Sequence, residues 1–577
     1  MTTNIISSNS TSAFNFTAGG NTLIILANAD IGTGSLDAIA TTFGEENVTI
    51  HGSVTGVNGF VDSSTVGVDD IDVGLNGAIV GTGGSAISIF GNGSYIANTG
   101  FIESGKAFAI VAGSGNFINN HGHIIGFASA ITDGGGDNIN NSGTISSLLA
   151  GNTTINENTG DDKIQNSGLI SGNGDFTGIY LNGADDTVGN TGTIDGALIA
   201  LLFEGGNDFL ANSGTISGLS DAIGVNGALG GVTIKNSGLI ESQAAAGTAI
   251  SFGDSGEQDS LNNSGLIRGS VQVDSFASTI NNSGSLDGSV DFAAVEGVVR
   301  NTGDISGSVF FYGDDNSYYG GYGSIEGDVY CAGTVGDYVG GARGTTFVIT
   351  ASDLVVTEKI VGGASADDTL IIGGEGSSVI TARDLKNVSG IETIDIGISA
   401  TIFLTQALAD SASGHALMVQ GGGRNTFNLM GVTSATDSIT VTGGANDTID
   451  VGAALTTFAF QSVANSTGAK FDTIANANFS HDEFDASLCG NVITGINAAV
   501  IAGALSSLTF DANLAADLGA SQLGANHAVL FTASSGTLSG DTFLIVDCNG
   551  TAGYQAGADL VMRLTGATGT LSTANFL

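Results

Sequence analysis

The chain has 577 residues, ample for a sizeable core, and its 12 Lys+Arg against 56 Asp+Glu leave a formal net charge of -44. That balance excludes nucleic acid and insertion into an anionic membrane, which both call for a basic surface; 41% hydrophobic residues exclude a disordered acidic chain, which requires low hydrophobicity as well as high charge. Divalent cations are the natural partners of so much uncompensated carboxylate.

The opening residues 1–20 are rich in Ser, Thr and Asn, and the first basic side chain is Lys106, so they lack the positive start and apolar stretch of a Sec signal peptide. No segment approaches the ~18 uninterrupted apolar residues of a membrane span. Residues 1–45 alternate weakly, with Phe14, Phe16, Leu23, Ile24, Ile25 and Leu26 as strand residues. They are expected to cap the first repeat or to be exchanged with a neighbouring molecule.

Over 46–345, expected to form one β-helix domain, a phrase Asn-Ser/Thr-Gly-x-Ile-x-Gly returns roughly every 22 residues between about Ile50 and Gly327, the period of a solenoid. Its asparagines are Asn98, Asn120, Asn141, Asn166, Asn190, Asn212, Asn236, Asn263, Asn282 and Asn301. Two residues on stands glycine and four on an aliphatic residue, as in Gly143 and Ile145; two before stands another aliphatic, as in Ile139. This spacing predicts a strand entering a glycine corner and a strand leaving it, with φ > 0 as the reason for glycine. A third apolar patch follows at 178–181, 197–203, 249–252, 270–273, 289–292 and 308–312. Three short strands per turn predict an all-β fold, a right-handed parallel β-helix of about a dozen coils with identical residues stacked at ~4.8 Å. The asparagine column resembles the ladders of β-helical lyases and autotransporter passengers, and is expected to be scaffold.

Four residues before the asparagine stand Asp137, Asp162, Asp186, Asp208 and Asp259, with Asn116 and Ser94 in earlier coils. Carboxylates stacked at that spacing repel, so the column is expected either to face water or to be bridged by cations. Calcium suits it as a hard ion with loose oxygen geometry. Preceding glycines, as in Gly135-Gly136-Asp137, resemble part of the calcium-binding RTX nonapeptide GGxGxDxUx.

The tyrosines Tyr312, Tyr318, Tyr319, Tyr322, Tyr330 and Tyr338 gather where the repeat decays, and are expected to cap the last coil or to form a contact surface. Residues 346–480 read as short strands between Gly, Ser and Asp turns. The stretches 345–358 and 379–397 look like copies of one unit and resemble the β-strand repeats of type I secreted surface-layer and RTX-type proteins. Closer relatives of the nonapeptide lie here, GGASADDTLI with Asp367 and Asp368, and TGGANDTID with Asp447 and Asp450.

The closing part, 481–577, resembles the C-terminal region of RTX-type proteins and carries Asp547, Asn549 and Asp559, which with the aspartates above are the candidate calcium ligands. The resemblance implies calcium as cofactor and export through a type I channel on an uncleaved C-terminal signal. Cys331, Cys489 and Cys548 are odd in number and far apart, which predicts neither a disulfide framework nor a zinc site.

There is no GxSxG, P-loop or HExxH, and a non-enzyme is expected. Lys163, Lys235, Arg268 and Arg300 are the basic candidates should the solenoid be a polysaccharide lyase or epimerase. The expectation is a secreted, calcium-dependent structural protein of the cell surface that assembles with copies of itself into an S-layer-like lattice or a filament, with cell-surface polysaccharide or lipopolysaccharide as a further partner. The alternative is a β-helical adhesin that binds glycan or a host surface.

Overall fold

The computed structural model describes residues 1–173, 176–196, 198–227, 230–253 and 256–577. The chain forms two compact units, 1–313 with 325–327, and 314–324 with 328–577. Nearly all of it is β, a parallel β-solenoid of about 21 turns of about 23 residues.

In the first unit each turn lays down three strands. One turn supplies Phe117–Asn120, His123–Gly126 and Ile131–Asp133; the next supplies Asn138–Asn141, Thr144–Ser147 and Ile155–Glu157. Every second residue points inward, and parallel register stacks like on like: Ile118 on Ile139, Ile124 on Ile145, Ile131 on Ile155. These isoleucines are almost wholly buried, each worth roughly 1.5–3 kcal/mol relative to exposure. A single coil cannot cover them, so the coil below and the coil above do.

The expected dozen coils are too few. Residues 1–45, expected as a cap or exchanged segment, already coil: Thr3–Ile6 pairs with Thr22–Ile25, and Phe14–Asn15 with Ile39–Thr41. In the second unit the strands expected across 346–480 also stack in parallel, from Thr346–Thr350 through Thr369–Gly373 and Thr393–Ile396 to Leu455–Ala459 and Glu483–Asp485. The asparagine phrase marks only the coils that carry the ladder; inward apolar residues in register suffice for the others. Ala197, first residue of one expected apolar patch, lies outside the described residues; the strand itself is Ile199–Phe203.

Glycine at the asparagine corner has a different cause from the one expected. None of Gly122, Gly143, Gly168, Gly192 and Gly214 has positive φ. A Cβ at Gly143 would instead collide with the carbonyl oxygen of Gly122 one coil earlier, and the same clash repeats at each successive corner glycine. Coil-to-coil backbone approach demands the missing side chain.

The second unit ends in a different arrangement. Leu560–Thr565 pairs in parallel with the solenoid strand Asp472–Ala475 and antiparallel with Thr542–Val546, which pairs antiparallel with His527–Ser535. The helix Phe510–Asp517 places Phe510 and Leu514 against Phe531, Phe543 and Val561 in a buried cluster. Contrary to expectation, Cys489 and Cys548 form a disulfide, with Cα atoms 4.3 Å apart; Cys331 is free and buried. Cysteine spacing along the chain carried no sign of a bridge closed by the fold. Tyr318 and Tyr338 are fully buried in the core of this unit, whereas Tyr322 is exposed.

Candidate functional site

The asparagine ladder is continuous. Each Nδ2 donates to the Oδ1 of the next rung at 2.7–2.9 Å, from Asn98 to Asn301. It also donates to a main-chain carbonyl just past the following corner, as Asn120 does to Thr144. All rungs are buried, their amide groups paired as burial requires.

The aspartate column is buried too, which removes the expected water-facing edge. Asp162, Asp186 and Asp208 each accept, through Oδ1, the main-chain N–H of the equivalent residue one coil earlier, at 2.7, 2.7 and 2.8 Å. Asp137 accepts that of Asn116, and Asp259 that of Val232 at 2.6 Å. Serine and asparagine at the same place in earlier coils do likewise: Ser94 accepts from Asp69, and Asn116 from Ser94. A short oxygen acceptor satisfies an amide at a corner that offers it no carbonyl. The cost falls on the other oxygen, because Oδ2 of Asp162, Asp186, Asp208 and Asp259 is buried without a donor. Burial raises all of these carboxyls, Asp186 and Asp208 to about 7.

At two places the column meets a further inward carboxylate, and a cluster forms. Asp133 and Glu157 end consecutive strands of the third sheet and are direct register partners. Both point into the core beside Asp137, with ligand oxygens within 4.8 Å of one another. Glu157 is fully buried, and neither of its oxygens nor Oδ2 of Asp133 has a hydrogen-bond donor. Burial, then the neighbouring Asp133, drives Asp137 up to about 9; burial drives Glu157 to about 8 and Asp133 well above its ordinary value. The second cluster is Glu46, Asp62 and Asp69, again within 4.8 Å and buried, with Oε2 of Glu46 and Oδ2 of Asp69 lacking donors. Burial raises Asp62 to about 7 and Asp69 to about 6.

Sequence reasoning missed Asp133, Glu157, Glu46, Asp62 and Asp69, though a signal was present. In Ile131-Thr132-Asp133, Ile155-Asn156-Glu157 and Phe60-Val61-Asp62 the acid follows the apolar residue at a spacing of two, which in a strand puts it on the core face. Of the expected ligands only Asp137 joins a cluster among the described residues.

The rest act on the backbone or face outward. Asp368 accepts the N–H groups of Thr345 and Gly363, each at 2.7 Å, while its neighbour Asp367 is exposed. Asp447 accepts from Asn425 at 2.6 Å, and Asp450 is half-buried on the strand Thr448–Asp450. Asp547 accepts from Asn526, Asn549 and Gly550; Asp559 accepts from Cys548 and Gln555; Asn549, exposed, accepts from Thr551. These hold loops in shape. A third group, Asp410, His415 and Asp437, is half open to water, and Nδ1 of His415 lies 3.1 Å from Oδ1 of Asp437, within hydrogen-bond reach.

Whether the two buried clusters fit a cation follows from their donors. Each offers three carboxylates, hard oxygen ligands in one place, with oxygens that no protein group neutralises, and this is the donor set calcium prefers. Beyond the cluster at Asp137 each column aspartate, from Asp162 to Asp259, has one oxygen on an amide and no second or third carboxylate grouped with it among the described residues. No known protein-family model matches the chain, and no curated protein matches it in sequence.

Proposed function

We propose that the protein is an exported structural scaffold of the cell surface whose folding is gated by divalent cations, calcium first, and which assembles with copies of itself into a lattice or filament. The observation that carries this reading is the pair of buried tricarboxylate clusters. An unpaired buried carboxylate costs several kcal/mol, and Asp133, Asp137 and Glu157 share one enclosed space. Bound calcium supplies the positive charge that this space lacks. Ligand bound only to the folded chain stabilises it by about 2.7 kcal/mol at a concentration one hundred times Kd.

In calcium-poor cytosol the same carboxylates repel one another and hold the acidic chain open for export; outside, they fold around the ion. The Cys489–Cys548 disulfide supports an oxidising destination. Leu560–Thr565 pairs in parallel with Asp472–Ala475 and covers that sheet edge, which leaves the sides of the solenoid and its first coil for assembly. The test is negative-stain microscopy and amide hydrogen exchange in chelator and in millimolar calcium. Protection of residues 131–157 and ordered arrays only with calcium are expected; equal protection in both, and single particles in both, refute the proposal.

A second reading, a glycan-binding adhesin, is favoured by one further surface.

A further inference from the structure

One outward face of the first unit differs from the rest of this acidic molecule. On the strands that end at the ladder asparagines, from Phe117–Asn120 to Val298–Asn301, the outward positions and the corner residue after each asparagine contain no Asp or Glu. Within this face lies an open groove of about 680 Å³, and none of its lining residues carries a carboxylate. The groove has a volume typical of ligand sites.

Its floor and contents follow from register. Gly189, Ala211, Lys235, Asn262, Asn281 and Arg300 are consecutive partners across adjacent strands. The two small residues hollow the face at one end. Lys235 and Arg300 stand three strand steps apart, about 14 Å, with two amides between them. Nδ2 of Asn281 donates to Oδ1 of Asn262 at 3.0 Å, which fixes the amide planes. Lys235 is steadied by the ring of Phe209, 5.2 Å from its ammonium, and makes no ion pair among the described residues. Alongside runs a row of corner hydroxyls: those of Ser237 and Ser264 donate to main-chain carbonyls one coil back, which leaves their lone pairs outward.

We infer that this groove binds a linear acidic polysaccharide laid along the solenoid axis, with carboxylates at Lys235 and Arg300 and sugar hydroxyls on the amide and hydroxyl rows. An amide offers a donor and an acceptor side by side, the complement of a sugar hydroxyl. A polymer of repeating units matches a surface that itself repeats at every strand. Two cations with no aromatic platform among the lining residues are too little for nucleic acid on a chain of net charge -44. The groove offers no carboxylate to hold a metal, so the inference is of binding, and it stands whether or not calcium gates the fold.

The test is calorimetric titration of the whole chain, at fixed calcium and with the fold followed by circular dichroism, against oligogalacturonate, its methyl ester and inorganic polyphosphate. Oligogalacturonate is expected to bind, at least tenfold more tightly than the ester, and to weaken as salt is raised. Lys235→Ala should lose about tenfold, the effect of one charge-assisted hydrogen bond, and Arg300→Ala a similar factor. Ala211→Trp, on the outward face where the core is untouched, should abolish binding by filling the hollow. Equal binding of acid and ester, equal binding of polyphosphate, no binding at all, or an Ala211→Trp protein that binds unchanged each overturns the inference.

Discussion

Replacing Glu157 by Gln separates the charge of that side chain from its shape. Glu157 stands at about 8 in the folded chain against 4.5 when free, because burial disfavours its charged form. At pH 7 without a cation, folding must therefore place a proton on it, at a cost of about 3 kcal/mol. Glutamine keeps the volume and removes that cost. Its amide also donates towards Asp133, its register partner, whose Oδ2 has no donor. A long repeat array opens locally, so the measurement is amide exchange in the strands Ile131–Asp133 and Ile155–Glu157. In chelator, Glu157→Gln should slow exchange there roughly a hundredfold, the equivalent of about 3 kcal/mol. If calcium occupies the cluster as proposed, the order should reverse in calcium, because the variant lacks one charged ligand. Exchange in chelator that is unchanged or faster in the variant would refute the claim that Glu157 is a buried electrostatic burden.

Further outcomes follow from the same geometry. Carboxyls raised on folding make a cation-free protein more stable in acid: the folded chain holds protons that the unfolded chain has released. Stability is thus greatest near pH 4 and falls as pH rises through the values of Asp186 and Asp208 at about 7, Glu157 at about 8 and Asp137 at about 9. Denaturation in chelator between pH 4 and 9 checks this, and saturating calcium should flatten the profile above pH 6. Asn190→Leu leaves Oδ1 of Asn212 without its ladder donor and Nδ2 of Asn166 without its ladder acceptor, and should weaken local protection by about 1–3 kcal/mol, read by exchange in the flanking strands Lys163–Asn166 and Phe209–Asn212. Gly143→Ala drives a methyl into the carbonyl oxygen of Gly122 and should cost about 1–3 kcal/mol, although φ there is ordinary. Cys489→Ser with Cys548→Ser opens a bridge spanning 59 residues, and thermal unfolding of the C-terminal part should register a loss of about 4 kcal/mol.

The three-sheet solenoid was legible because its signal recurs: a column of isoleucines and asparagines at one offset admits few foldings other than stacked coils. Less was legible where recurrence fades. Strands such as Asn47–Ile50 and Glu358–Val361 coil without the asparagine phrase, and only their alternation of inward and outward residues shows it. Offset reading singled out Asp137 without its neighbours Asp133 and Glu157, and left open a water-facing column that is in fact buried. Nor does spacing show that Asp162 and Asp186 each cap the amide of the coil before them. A hydrogen bond to a residue about two dozen positions away leaves no mark in local sequence. The clusters draw Glu46 and Asp69 from one sheet corner and Asp62 from the strand Phe60–Asp62, a meeting that only the register decides.

The ladder has a consequence for how such a chain changes over generations. Its rungs lie 19 residues apart between Asn263 and Asn282 and 27 apart between Asn236 and Asn263, yet the hydrogen bonds joining them are the same length, 2.8 Å. Most of the surplus lies between strands, although the third-sheet strand Thr248–Phe252 takes one residue as a bulge against Ser270–Val273 and keeps Ile250 buried. Duplication or deletion of a whole coil lengthens or shortens the axis by one step and preserves every contact type, and corner insertions cost only slowly growing loop entropy. A residue gained within a ladder strand would, without such a bulge, turn its inward aliphatic residue outward. Variation between related chains is expected to come in whole turns, in corner loops and in the third sheet, with the ladder strands fixed in length.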